Sequence, residues 1–172
     1  MSDGSHSCTI TVTDTAGNAS SALSVNTFVI DTTAPSLAQV TAVTTPYNDS
    51  TPSYSFSSNE AGNISYGGCS PGITSASSGT NSISFGTLSD GSHSCTITVT
   101  DTAGNASSVL SVNTFVIDTT APILSQVSPS DNATGIVKNI SIAITLSEPI
   151  NTSSVSVNNG SDNCSSFSLQ VS

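Results

Sequence analysis

The chain has 172 residues, of which only 7% are charged, and eleven carboxylates against a single lysine, Lys138, set the formal net charge at −10. With no other Lys or Arg to neutralise phosphates, nucleic acid is excluded as a partner, and an anionic membrane surface would repel the chain. No apolar run reaches the roughly 20 residues of a membrane helix, so no membrane insertion is expected, and the recurring alternation of Val, Ile and Thr argues for folded β structure rather than disorder.

The opening "MSDGSHS" lacks a basic segment followed by an apolar one, so export would depend on a signal outside this chain. Residues 2–35 return at 89–122 with Ala22 against Val109 as the single difference, a displacement of 87 positions. A period of that length is the size of a small independent domain, not of a solenoid turn. Because Met1 falls inside a repeat, the chain reads as a piece of something longer. The expected organisation is a partial unit at 1–35 holding the last two strands of a sandwich, a complete unit at 36–122, and a partial unit of a second type at 123–172.

In the complete unit the elements follow one another as short alternating strands. "LAQV" at 37–40 comes first, then Tyr54 and Phe56 in "PSYSFSS", Ile64 and Tyr66 in "NISYGG", and Ile83 and Phe85 in "SISFG". Cys95, Ile97 and Val99 in "HSCTITVTD" and the run "VLSVNTFVI" at 109–117 complete six or seven strands. Gly67-Gly68 and Asp90-Gly91 are turn or bulge signals, and no segment has helical periodicity. The third unit opens with "ILSQV", continues with Ile140, Ile142, Ile144 and Leu146 in alternation, and adds "SVSV" and "FSLQVS". About 90 residues of short strands at regular spacing point to an immunoglobulin-like sandwich. The expected fold is therefore all-β: tandem Ig-like β-sandwiches of Greek-key type, one complete domain flanked by two partial ones. Each partial end would leave an unpaired strand edge, which tends to pair with another chain.

"DGSHSCTITVTDTAGNASS…FVIDTTAP" resembles the C-terminal half of the bacterial immunoglobulin-like repeats of very large surface adhesins and biofilm proteins, in which a "DxAGN" loop and a "DTTAP" linker recur. "VSPSDNATGIVKNISIAITLSEPI" is similar to a second bacterial Ig-like type, the one named for S-layer proteins. The resemblance covers nearly the whole chain. It implies a secreted or cell-surface location, a role as spacer or, in some repeats, as a ligand-binding tip, and calcium bound between domains.

Cys8 and Cys95 occupy the same repeat position, so the partner of Cys95 is expected within its own unit, where Cys69 is the one candidate. The pair would join the end of the third strand to the sixth, and closing a loop of about 27 residues stabilises by roughly 3.5 kcal/mol. Cys8 and Cys164 are then left unpaired within the monomer. Buried free thiols are the alternative, whereas a zinc site would need paired Cys-x-x-Cys ligands that do not occur. A disulfide agrees with an oxidising, extracellular compartment.

No catalytic constellation is found. His93 and Asp101 share one expected strand at a spacing of about 26 Å, too far for a hydrogen bond, and His6 and His93 are expected to be structural. The acids are scattered through loops without basic or aromatic subsite residues. The Asn-x-Ser/Thr triplets at Asn63, Asn105, Asn139 and Asn151 are expected by chance in a chain this rich in Ser, Thr and Asn.

In an Ig-like sandwich the second and sixth interstrand loops share the end at which the first strand enters. Asp31 of the linker, Glu60 of "SSNEAG", and Asp101 with Asn105 of "DTAGN" should therefore converge at one junction. Asp118 of the second linker and Glu148 of "LSEPI" repeat part of the set at the next. Oxygens converging without cations to pair them suit Ca2+, which takes six to eight oxygen ligands. The alternative is that these side chains cap turns by bonding nearby backbone N–H groups. The function expected is that of a structural stalk, stiffened by calcium at domain junctions, whose partners are neighbouring Ig-like domains of the same chain. A surface glycan or protein would be bound by other parts of the parent. The alternatives are a glycan- or protein-binding Ig-like module and an accessory domain of a secreted hydrolase. The identity of "DTAGN" in both copies favours the spacer, because a binding module would vary its loops.

Overall fold

A computed structural model describes residues 1–137, 140 and 142–151. The described residues form strands and turns without helix and divide into two compact units, Met1–Thr119 and Thr120–Ser172.

The first unit begins with β1 (Gly4–Ile10) and β2 (Leu23–Ile30), an antiparallel two-stranded ribbon. Seven strands follow: β3 (Leu37–Thr41), β4 (Ser53–Ser58), β5 (Gly62–Gly67), β6 (Ser75–Ala76), β7 (Gly79–Ser84), β8 (Gly91–Thr100) and β9 (Leu110–Ile117). They form two sheets, β3-β4-β7 and β6-β5-β8-β9. This order, in which strands neighbouring in sequence are shared out between two sheets, is that of an Ig-like Greek key. The alternation fixes which side chains face inward. Tyr54 and Phe56 of β4, Ile83 of β7, and Ile97 and Val99 of β8 are at most 1% exposed, and they meet Phe115 and Ile117 of β9 in one core. Phe85, one residue past β7, packs on Phe115 at a ring separation of 5.4 Å.

Three details depart from the simple strand pattern. β6 is a two-residue strand on the edge of β5 with no alternating run of its own to announce it. The bulge falls between His93 and Cys95, inside β8, while Asp90-Gly91 lies in the bend that leads into that strand; the same irregularity recurs between His6 and Cys8. After β3 the chain crosses to the other sheet, where Tyr47 bridges Ile117 in parallel, its N–H donating to the Val116 carbonyl at 2.9 Å. Asn113 guides the crossing, accepting from Val43 N at 3.3 Å and donating to the Val43 carbonyl at 3.1 Å.

Cys69, just past β5, and Cys95 of β8 form a disulfide with Cα atoms 5.4 Å apart, linking two strands that pair directly. Gly68 precedes it at φ +77°, a conformation that favours glycine. Cys8 is free and exposed.

The second unit contributes β10 (Leu124–Ser128) and β11 (Ala143–Leu146), paired antiparallel. The strand expected from Ile140 thus begins at Ala143. Lys138, Asn139, Cys164, "SVSV" and "FSLQVS" lie outside the described residues.

Candidate metal centre

Sheet registers bring three separate segments to one end of the sandwich. Leu37, the first residue of β3, pairs with Ser58, the last of β4, so the linker that carries Asp31 arrives beside the β4–β5 turn. Asn63 at the start of β5 pairs with Thr100 at the end of β8, so the β8–β9 turn lies beside it too. Gly62 permits this approach, because a Cβ there would run into the carbonyl oxygen of Thr100. The result is that carboxylate oxygens of Asp31, Glu60 and Asp101 all lie within 4.8 Å of one another, with Asp101 buried and the other two half-buried.

The β8–β9 turn is braced by Asn105. Its backbone N–H donates to Asp101 Oδ1 at 2.9 Å, and its Nδ2 donates both to Asp101 Oδ2 at 2.9 Å and to the Asp31 carbonyl at 3.1 Å. Gly104 supplies the left-handed step at φ +97°. The hydrogen bonds from Asn105 hold the Asp101 carboxyl below its ordinary value of 3.8 by favouring the charged form. Asn105 thus presents donor nitrogens that position Asp101 and tie the linker to the turn.

The repeat provides an internal comparison. In the ribbon, Asn18 N donates to Asp14 Oδ1 at 2.8 Å and Asn18 Nδ2 to Asp14 Oδ2 at 2.9 Å, so the same turn forms from the same letters. Capping is therefore intrinsic to "DTAGN". What the complete domain adds is the linker and the β4–β5 turn, with one further acid each. Capping and cation binding are compatible in number, since an ionised carboxylate offers about four lone-pair sites.

Two sets of supporting residues were not singled out in the sequence. Asn59 joins the linker to the cluster: its Oδ1 accepts from Ser36 N at 2.6 Å and its Nδ2 donates to Glu60 Oε1 at 3.2 Å. Asp3 clasps the outgoing linker, accepting from Thr32 N at 3.1 Å, Thr32 Oγ1 at 2.7 Å and Thr33 Oγ1 at 2.7 Å. Asp90 does the same one repeat later, accepting from Thr119 N at 3.0 Å and Thr119 Oγ1 at 2.7 Å. The recurrence of Asp before "GSHS" together with "DTT" after the last strand was the available signal.

Asp118 follows β9, where its N–H donates to the Tyr47 carbonyl at 3.0 Å, and belongs to the first unit. Glu148 belongs to the second and has a buried Oε1 without a hydrogen-bond partner among the described residues. His93 Nε2 donates to the Ser89 carbonyl at 2.8 Å and its ring lies 5.8 Å from that of Phe115, while His6 repeats this with Ser2 and Phe28. Both histidines thus brace the first turn of their strand.

A family model described as a bacterial Ig-like domain matches residues 39–119, and a second family model of the same description matches residues 118–171. No curated protein matches the chain.

Proposed function

As a chain built of bacterial Ig-like domains, this protein is, we propose, a structural spacer of a secreted or cell-surface protein whose domain junction is stiffened by calcium. Such domains are typically non-catalytic modules, and their use as repeats agrees with a disulfide and with a nearly repeated 34-residue passage. The observation that carries the calcium reading is the meeting of Asp31, Glu60 and Asp101 from three segments within 4.8 Å. Oxygen ligands at about 2.3–2.6 Å from a shared ion sit within such a spacing of one another, and the sequence holds one lysine to offset its eleven acids.

In this reading Asp31, Glu60 and Asp101 hold the ion, and Asn105 and Asn59 position them. The ion supplies positive charge that removes carboxylate repulsion and fixes the linker against the domain. Pro35, buried and four positions after Asp31, already restricts that linker. In the sequence repeat Asp118 takes the place of Asp31, and within the second unit Glu148 follows β11 as Glu60 follows β4.

The test is calorimetric titration and melting of the 172-residue chain with calcium and with chelator, beside Asp31→Asn and Glu60→Gln. At a hundredfold excess over Kd, a bound ion stabilises by about 2.7 kcal/mol. Either substitution is expected to abolish that gain. If chelation changes neither the melting temperature nor the hydrodynamic radius, the acids are turn caps alone.

A further inference from the structure

A spacer that is held at one end and pulled at the other carries tension through each folded domain, along a path set by where the chain enters and leaves. In the complete domain the chain enters at Ser36, whose N–H donates to Asn59 Oδ1 at 2.6 Å, next to Leu37 paired with Ser58. It leaves after Ile117, which lies opposite Gly91 at the start of β8. The entry end is the one at which β8 finishes, with Thr100 against Asn63. Entry and exit thus sit at opposite ends of the sandwich, separated by about 30 Å along the ten residues of β8.

Between these points residues 43–47 cross to the second sheet and run parallel to β9, with Tyr47 bridging Ile117. Asn113 grips both main-chain atoms of Val43, at 3.3 Å and 3.1 Å. Val116 N–H donates to Thr45 Oγ1 at 3.0 Å, Tyr47 N–H to the Val116 carbonyl at 2.9 Å, and Asp118 N–H to the Tyr47 carbonyl at 3.0 Å. Val43 and Ile117 anchor the two segments in the core. Tension draws residues 43–47 by their N-terminal end toward the entry, and β9 by its C-terminal end toward the exit. Because the segments are parallel, they are pulled past one another lengthwise. Bonds between strands run across the strand axes, so these are loaded together and not opened one at a time.

We propose that residues 43–47 and β9 are the force-bearing clamp of this domain, and that the Cys69–Cys95 bond is the stop that limits its extension once the clamp parts. The disulfide lies off the clamp, with β6 and β7 between its two cysteines. When the clamp gives way, the chain extends from the entry as far as Cys69 and from Cys95 to the exit, while the bond passes tension directly between the two sulfurs. Residues 70–94 stay looped and unloaded. The bond thereby withholds 26 residue steps, about 90 Å of extended chain. The proposal takes from the spacer reading only the source of the tension and makes no use of a bound ion.

The experiment tethers the 172-residue chain by its two ends in single-molecule force spectroscopy, with chelator throughout, and reads the unfolding rate at constant force, which the barrier and not the equilibrium governs. A discrete extension step is expected, and reduction lengthens it by about 90 Å. Asn113→Ala removes both grips on Val43 and raises the rate on the order of tenfold, while Thr45→Val removes one acceptor and raises it about fivefold. Asn81→Ala is the control. Its side chain accepts from Ser77 N at 2.8 Å and donates to the Ser77 and Gly79 carbonyls at 2.8 Å and 3.1 Å, inside the looped segment. Its rate at force therefore stays within about twofold of the native chain's. Equal acceleration by Asn113→Ala and Asn81→Ala overturns the clamp, because the barrier is then spread through the domain. Unchanged rates in both Asn113→Ala and Thr45→Val overturn it as well, and a step that reduction does not lengthen overturns the stop. These rates do not depend on whether the chain serves as a spacer, so the two readings fail separately.

Discussion

Reduction of the Cys69–Cys95 disulfide isolates the contribution of one cross-link without changing a side chain's place in the core. The two cysteines are separated by 26 positions, and the chain-entropy relation assigns a loop of that length about 3.5 kcal/mol at 25 °C. For a domain of this size each kcal/mol moves Tm by roughly 4–8 °C, so reduction should lower it by about 14–28 °C. Urea unfolding followed by far-UV circular dichroism, with and without a thiol reductant, measures the loss directly. Because the cross-link keeps the unfolded chain compact, the denaturant slope should also rise on reduction. Cys8, already free and exposed, contributes nothing to this difference. A loss below about 1 kcal/mol with an unchanged slope would refute loop closure as the source of the stabilisation.

Identical letters in unlike surroundings give a sharp mutational contrast: Ile97→Ala should cost about 2–5 kcal/mol, whereas Ile10→Ala, at a site 52% exposed, should shift the main unfolding transition by less than about 0.5 kcal/mol. Gly62→Ala should destabilise by more than about 1 kcal/mol, since the new methyl meets the Thr100 backbone and the two turns of the cluster must part; chemical denaturation checks it, and a neutral result would mean that the turns give way freely. Hydrogen bonds from Asn105 and Thr32 hold the Asp101 and Asp3 carboxyls below 3.8, so the stability they contribute is complete above that pH and is lost as pH falls through the lower folded values. Carbon-detected NMR titration should find Asp101 ionising below 3.8, and Asn105→Ala should return it upward.

Much of the fold was legible because β structure writes itself with a period of two. Tyr54 and Phe56, Ile83, and Ile97 with Val99 announced both their strands and their inward faces, and the repeat map selected Cys69 as the partner of Cys95 without any coordinates. The meeting of Asp31, Glu60 and Asp101 followed from topology, since loops assigned to one end of a Greek key must come together. Their spacing, and the bracing by Asn59 and Asn105, did not follow, because they depend on hydrogen bonds between segments 23 and 74 positions apart. β6 and the crossing at Tyr47 were equally silent, since neither has an apolar alternation and both exist by pairing with a strand already in place.

The two copies of the 34-residue passage separate the two kinds of information. Sequence by itself determined what they share: the hairpin register, the bulge before the cysteine, the Asp–Asn turn and the histidine against its phenylalanine, all made by contacts within the passage. Tertiary structure alone decided that Ile97, Val99 and Phe115 are core while Ile10, Val12 and Phe28 face outward. Alternation gives a strand an apolar face, but burial requires a second surface to lie against it. For the later copy that surface is the β3-β4-β7 sheet, built from residues the passage does not contain.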